Sequence, residues 1–330
     1  MTREPPSRTR LYLVIGGLAA VAAVVVAAAL VLTGSSGHGG AKSADEAVRI
    51  YLEALARGDA RGALAIAKTR PADRTFLTDE ILKMQITKAP ISNIRVLQSS
   101  NRVSAHVIAT FGDQTSDETI VVVPPKAGDG WKLDHGAIAL TSGKGSRSVA
   151  APALLDSITI FGQPISGTGV AYVFPGWVDV GSRNQYVDVT PSIEQQTLLN
   201  GINRAGQINL MPHFVASTTG KEEARRAIEA ALAKCAQSRQ FSPPNCPQHV
   251  PPQGFIDGTA SWSGPVNSDA IHVDRFNERQ GTINFFGMAD FGTLTVQRSD
   301  GRTFTMPHLP IAVTGAADLT QSPPKITMGL

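Results

Sequence analysis

The sequence contains only two cysteines, Cys235 and Cys246. So few cysteines exclude a disulfide-rich scaffold. In an oxidising compartment, a lone pair separated by ten residues is most simply explained by a disulfide. Closing so short a loop contributes roughly 2–3 kcal/mol through chain entropy. Zinc bound by both cysteines and His249 is the alternative, although a closed zinc site needs four ligands and only three candidates are present.

The chain also has little net charge, with a formal value of +3 at pH 7. The first ten residues carry Arg3, Arg8 and Arg10 against Glu4 and so contribute +2 of this value. The rest of the chain is therefore close to neutral. A nucleic-acid-binding protein needs a clustered basic face to displace counterions, so the charge argues against nucleic acid as a partner.

Sequence motifs of the common enzyme classes are absent. The chain has no Gly-x-Ser-x-Gly elbow, no His-Glu-x-x-His, no acidic calcium loop and no phosphate-binding loop. We therefore predict no cofactor and no metal site. The sequence favours a binding protein over an enzyme and does not name a reaction.

The most informative segment that is present is an apolar run at residues 11–33, which contains no charged side chain. As a helix it would reach about 34 Å, enough to cross a hydrocarbon core of about 30 Å. The arginines before it predict a cytoplasmic tail at residues 1–10, a single-pass helix in the plasma membrane and an extracytoplasmic remainder. Cleavage near residues 34–40, as in a secretory signal peptide, is the alternative, but such peptides have a shorter apolar core.

A Gly- and Ser-rich tether at residues 34–42 precedes a predicted helix. Ser43 and Glu46 match a capping box. The apolar residues that follow recur at i, i+3, i+4 and i+7 and form one stripe: Val48, Tyr51, Leu52 and Leu55. Asp59 is suited to cap a second helix that continues through Ala67, and residues 76–84 form a third helical piece.

The apolar pattern then changes to a period of two. This alternation predicts antiparallel strands at 91–98, 102–111, 118–123 and 131–135. Helices followed by a strand meander indicate an α+β layout with helices on one face of the sheet.

Two stretches carry a resemblance to a known fold. Ser-Ala-Asp-Glu-Ala-Val-Arg-Ile-Tyr-Leu-Glu-Ala-Leu-Ala-Arg-Gly-Asp-Ala at 43–60 resembles the first helix of nuclear-transport-factor-two-like (cystatin-like α+β) domains. Gly-Asp-Gly-Trp-Lys-Leu-Asp at 128–134 resembles their closing strand. Such domains are exported in actinobacterial single-pass membrane proteins. The resemblance implies a cone-shaped domain with a pocket at 43–141, and it leaves the function open.

A polar stretch at 142–150 predicts a linker, and residues 151–330 a second, strand-rich α+β domain. Thr219 and Glu222 match a capping box for a helix at 221–238, with Cys235 on its apolar face. The disulfide would then staple a Pro-rich loop to that helix. Strands are predicted at 157–161, 169–174, 186–190, 258–262, 270–273, 281–286, 292–298 and 303–306.

Candidate acid/base groups are limited to His106, Asp134 and His135. His106 lies on the polar face of its predicted strand, and the other two follow at the end of the sheet. If that face lines the pocket, a histidine and a carboxylate within hydrogen-bond reach of each other can move a proton. A pocket enzyme of the dehydratase or isomerase type is therefore the alternative hypothesis.

The leading hypothesis is a non-enzymatic, membrane-anchored envelope protein. Its extracytoplasmic domains would bind a small apolar ligand or another protein of the cell envelope. A third hypothesis is a spacer that holds a partner at a set distance from the membrane. The spacer predicts an exposed apolar patch instead of a pocket.

Overall fold

The computed structural model describes residues 40–97, 103–126, 129–143, 150–165, 167–190, 197–203, 207–264 and 266–329. The predicted tail, the membrane helix at 11–33 and most of the tether lie outside these residues. Among the residues that are described, no helix combines the length and the apolar character needed to cross a bilayer. From Ala41 onward the chain forms one compact unit of the predicted α+β class, with more strands than helices.

The first helix, α1 (Ala44–Ala56), begins where the sequence predicts. The Ser43 hydroxyl accepts a hydrogen bond from the Glu46 amide at 3.1 Å and so satisfies one free N–H of the first turn. In a capping box the glutamate carboxylate returns to the amide of the capping residue, but here it binds the Lys42 amide at 2.5 Å. The predicted apolar stripe is buried: Val48, Tyr51, Leu52 and Leu55.

The second helix, α2 (Ala60–Ala65), is capped by the Asp59 carboxylate as predicted. Its predicted continuation through Ala67 is wrong. Residues Ala67–Thr69 form strand β1, which pairs in parallel with β5 (Lys132–His135). Complete burial of Ala67 and the hydrogen bonds to a distant strand outweigh the local helical pattern.

Helix α3 (Asp79–Lys88) follows and begins later than residue 76, because Thr78 caps it. The first sheet has the strand order β1-β5-β4-β3-β2. Its meander consists of β2 (Ile91–Leu97), β3 (Ser104–Phe111) and β4 (Gln114–Val123). Strand β4 begins earlier than the predicted residue 118. The inner face of β3 is buried at Ala105, Val107, Ala109 and Phe111, whereas Val103, predicted on that face, is 43 % exposed.

Tyr51 connects α1 to the sheet. Its hydroxyl donates a hydrogen bond to the Gly136 carbonyl at 2.9 Å, and its side chain is completely buried. Burial raises the pKa of the Tyr51 hydroxyl above its ordinary value, so the side chain is neutral in the folded protein. Gly136 has no room for a side chain, since a Cβ there would lie 2.6 Å from the Ala67 Cβ.

Strand β6 (Ile138–Thr141) lies between two strands that follow the predicted linker. It pairs antiparallel with β9 (Val170–Val173) and parallel with β12 (Ile208–Asn209). One apolar core contains both Leu55 and Phe174. The segments on either side of residues 142–150 therefore share a sheet and a core.

Two further small sheets and two short helices complete this part of the chain. Helix α4 (Pro152–Ser157) includes Ser157, where a strand was predicted to begin. The remaining elements are β7 (Ile158–Ile160), β8 (Gln163–Pro164) and β10 (Val180–Ser182) in one sheet, β11 (Val187–Thr190) and β13 (His213–Ala216) in the other, and helix α5 (Leu199–Ile202).

The longest described helix is α6 (Thr218–Ala236). The predicted capping box at Thr219 and Glu222 is wrong, because the Ser217 hydroxyl caps the helix by accepting from the Gly220 amide at 2.9 Å. A Cβ at Gly220 would lie 2.1 Å from the Tyr186 carbonyl oxygen, so this first turn packs directly against backbone. The apolar face of α6 is buried as predicted: Ala224, Ile228, Leu232 and Cys235.

Helix α6 packs on a four-stranded sheet in the order β15-β16-β19-β20. These strands are Ile271–Asn277, Thr282–Asp290, Pro310–Asp318 and Lys325–Gly329. The last two were not predicted. A separate small sheet contains β14 (Ser261–Trp262), β17 (Leu294–Gln297) and β18 (Thr303–Met306).

The predicted disulfide between Cys235 and Cys246 is confirmed, with Cα atoms 5.6 Å apart. It joins the end of α6 to the Pro-rich loop. The sulfur atoms are bonded to each other and are therefore unavailable as the thiolate ligands that the zinc alternative requires. The residue before Cys246 is Asn245, whose amide oxygen accepts from the Met328 N–H at 2.8 Å and whose amide nitrogen donates to the Ile326 carbonyl at 3.1 Å.

Candidate functional site

The predicted acid/base residues lie in two separate places. The Nε2 atom of His106, on β3, is 2.5 Å from the Asp117 carboxylate on β4. Both side chains are well exposed and lie on the sheet face that points away from α1. The Asp134 carboxylate instead lies 3.9 Å from the Lys68 ammonium and 3.5 Å from Nε2 of His135.

No contact in the described part of the chain joins His106 to Asp134 or His135. The structure thus brings Asp134 and His135 together. It places His106 beside Asp117, a residue that sequence analysis missed. Asp117 is a diagonal cross-strand neighbour, since His106 lies opposite Thr119. The turn at residues 112–113 fixes that register, so the sequence of the hairpin could have predicted that His106 and Asp117 are neighbours.

The face of the first sheet that covers α1 is filled with buried side chains. The space suited to a ligand lies elsewhere, at the end of α3 and the β3–β4 turn. This cleft, which we call the tryptophan cleft, has a volume of about 780 Å³. Its apolar lining residues include Phe111, Trp177, Val178 and Leu198. Its charged groups are Lys88, Asp113 and Asp179.

Gln85 positions the loop that carries Trp177. This side chain is 1 % exposed, and its amide nitrogen donates to the carbonyls of Phe174 at 3.1 Å and Trp177 at 2.9 Å. The Trp177 ring packs edge-on against Phe161, with centroids 5.9 Å apart. The wall of the cleft is therefore held by buried hydrogen bonds as well as by ring packing.

Gly176 sets the direction of the same loop. Its φ is +133°, a conformation that side chains with a Cβ rarely adopt, and its N–H donates to the Thr197 carbonyl at 2.8 Å. A Cβ would meet the Phe111 ring at only 3.6 Å, which is ordinary contact. Backbone conformation, not lack of space, therefore requires glycine here.

A second cleft of about 480 Å³ runs along the free side of β4. We call it the edge groove. It is lined by residues 114–118, Leu198 and Asn200. Gln114 and Leu198 line both clefts, so the edge groove opens into the tryptophan cleft. Together they form an elongated site that is apolar at one end and polar along the strand.

The charged groups that line the two clefts are mostly acidic. Among the described residues, no cluster of three or more His, Cys, Asp or Glu side chains is placed to hold a metal ion. Four carboxylates line the two clefts against one lysine: Asp113, Asp117, Glu118 and Asp179 against Lys88. The site therefore favours a ligand that is apolar at one end and positively charged elsewhere.

We compared the chain with protein-family models, with curated proteins and with solved structures, and none of them matches it. The geometry of the clefts is therefore the basis for assigning a function.

Proposed function

We propose that this chain is a single-pass protein of the plasma membrane whose extracytoplasmic part binds a ligand or a protein partner in the tryptophan cleft. The apolar run at residues 11–33 would be the anchor, with the N-terminus in the cytoplasm. The resemblance of residues 43–141 to nuclear-transport-factor-two-like domains is part of this proposal. Binding sites are typically concave, mostly apolar and fixed before the ligand arrives.

The cleft itself is the observation that carries the proposal. It has the volume of a small-molecule site, and the half-buried Trp177 lies on a loop that the buried Gln85 holds through two hydrogen bonds. Gly176, with a φ of +133°, lets the loop adopt a conformation that other residues rarely adopt.

A photo-crosslinking amino acid at Val178, in the full-length protein in whole cells, tests this function. We expect an adduct that disappears when Trp177 is changed to alanine. A crosslinker at Thr327, on the distant strand β20, is the matched control and should give no such adduct. Equal crosslinking at Val178 and Thr327, or crosslinking at Val178 that is unchanged by Trp177→Ala, would refute specific binding in the cleft.

Membrane topology is tested independently with protease added to intact cells. We expect the region after residue 40 to be digested from outside. Protection in whole cells together with digestion after lysis would remove both the anchor and the envelope location from the proposal.

The dehydratase or isomerase alternative needs His106, Asp134 and His135 in one cavity. The separation of His106 from the other two gives that alternative no support. The spacer hypothesis predicted an exposed apolar patch, and β16 does expose Phe286 and Met288, by 50 % and 43 %. The cleft offers a volume of about 780 Å³ beside a loop that Gln85 holds in place, so binding remains our proposal.

A further inference from the structure

Strand β4 is paired unequally on its two sides. It pairs with β3 from Gln114 to Val121. On its other side it pairs with β5 only at Val122 and Val123. Most of that second side is therefore a sheet edge, where backbone N–H and C=O groups need another partner.

Part of this edge is closed by a side chain. The amide nitrogen of Asn203, at the end of α5, donates to the Thr119 carbonyl at 2.6 Å. Its amide oxygen accepts from the Val121 N–H at 3.1 Å. These two backbone groups are the ones that a neighbouring strand would bind, so Asn203 substitutes for one residue of such a strand.

The edge remains open at Thr115 and Asp117. In a strand, backbone groups of residues two apart point the same way, so these two residues share the outward direction of Thr119 and Val121. Within the described part of the chain, no hydrogen bond uses their backbone groups. Both residues are exposed, and the edge groove runs beside them.

An asparagine side chain also protects the edge of the four-stranded sheet that contains β20. Asn245 binds the carbonyl of Ile326 and the N–H of Met328 on the edge strand β20, in the same pattern of residues two apart. Exposed edges invite unwanted pairing, and proteins generally protect them. An open stretch directly beside a protected one, in a groove that leads to an aromatic cleft, is the geometry of a site for strand addition.

We infer that Thr115–Asp117 binds an extended peptide, which adds to β4 as a further strand. The inference rests on the proposed function, because the tryptophan cleft would accept a large apolar side chain of the same peptide. Two residues of the edge offer two N–H donors and two C=O acceptors. The excess of carboxylates over Lys88 around the clefts favours Lys or Arg in the peptide.

Selection from a phage-displayed library of linear twelve-residue peptides, on the full-length protein in detergent, provides the probe. Selected peptides are then synthesised with a single N-methyl group at each position in turn. Strand addition predicts that methylation at alternate amides weakens binding at least tenfold, while the amides between them tolerate it. If N-methylation weakens binding at positions that do not alternate in this way, the inference is wrong.

Two variants of Asp117 test the protein side. Asp117→Pro removes the outward N–H, and proline is tolerated there because the hydrogen bonds to β3 come from Ser116 and Glu118. We expect at least tenfold weaker peptide binding. Asp117→Asn keeps the N–H and removes the charge, and it should bind within about threefold of the wild-type protein. Thermal unfolding confirms that both variants are folded.

The other outcomes are distinguishable. Strand addition is wrong if no peptide is selected, or if the selected peptides bind Asp117→Pro as tightly as the wild-type protein. The crosslink at Val178 then decides separately whether the cleft binds another ligand. If Asp117→Pro instead converts an oligomer into monomers, the edge pairs copies of this chain and the peptide inference is wrong.

Discussion

Removing the disulfide should weaken the hydrogen bonds made by the neighbouring Asn245. The cystine closes a loop with a sequence separation of 11, for which chain entropy predicts a loss of about 2.8 kcal/mol in Cys235→Ala/Cys246→Ala. Asn245 has a φ of +58° and binds the edge of β20 through two hydrogen bonds, together about 2 kcal/mol. If the disulfide holds Asn245 in that conformation, removing the disulfide also weakens these hydrogen bonds, and the two losses of stability are not additive.

Urea unfolding of four proteins measures the overlap: the wild type, the double alanine variant, Asn245→Gly, and all three changes combined. Glycine removes the hydrogen bonds without adding strain at positive φ. We expect Asn245→Gly to cost about 2 kcal/mol with the disulfide and less than about 1 kcal/mol without it. Costs that agree within about 0.5 kcal/mol in both backgrounds would show that the disulfide does not position Asn245.

The remaining predictions concern the core and the wall of the cleft. Tyr51→Phe should lower the free energy of unfolding by about 1 kcal/mol, measured in urea, because the Gly136 carbonyl loses its donor. Since burial raises the pKa of Tyr51 in the fold, stability should fall above about pH 10, where the unfolded chain ionises, and Tyr51→Phe should reduce that slope. Gly176→Ala should cost about 1–3 kcal/mol and abolish the Val178 crosslink, because alanine does not readily adopt a φ of +133°. Gln85→Leu leaves two carbonyls without their donor, and it should shift the Trp177 fluorescence to the red and cost about 2 kcal/mol. Unchanged stability in any of these variants would contradict the corresponding contact.

Elements specified by nearby residues were the ones that the sequence predicted well. Helix α1 needs only the Ser43 cap and an apolar stripe, both within one short segment. The disulfide was predictable because only one pair was possible. Strand β18 was predicted with the observed bounds, Thr303–Met306.

Elements specified by distant partners were missed. Strand β1 has the composition of a helix end, and only its pairing with β5 makes it extended. Strand β19 contains small residues over much of its length, from Ala312 to Ala317, so its alternation of apolar and polar residues is weak.

The site was missed for the same reason. Gln85 and Phe174 meet across 89 residues of sequence, and neither stands in a recognisable motif. A glutamine on the buried face of a helix looks like an error in the apolar pattern until the loop it binds is seen. The acid/base hypothesis assumed that the polar face of β3 lines a pocket, whereas His106 lies on that face beside Asp117 and is partly exposed.

The position of β6 between β9 and β12 has a consequence for how the protein matures. If the N-terminus stays in the cytoplasm, as we propose, the residues after the anchor cross the membrane in chain order, and β6 reaches the outside before either of its two neighbours. The centre of that sheet stays incomplete until Asn209 has emerged. Until then, an unpaired apolar segment is accessible to chaperones and proteases of the envelope, so slow translocation should reduce the yield of mature protein even when the finished fold is stable.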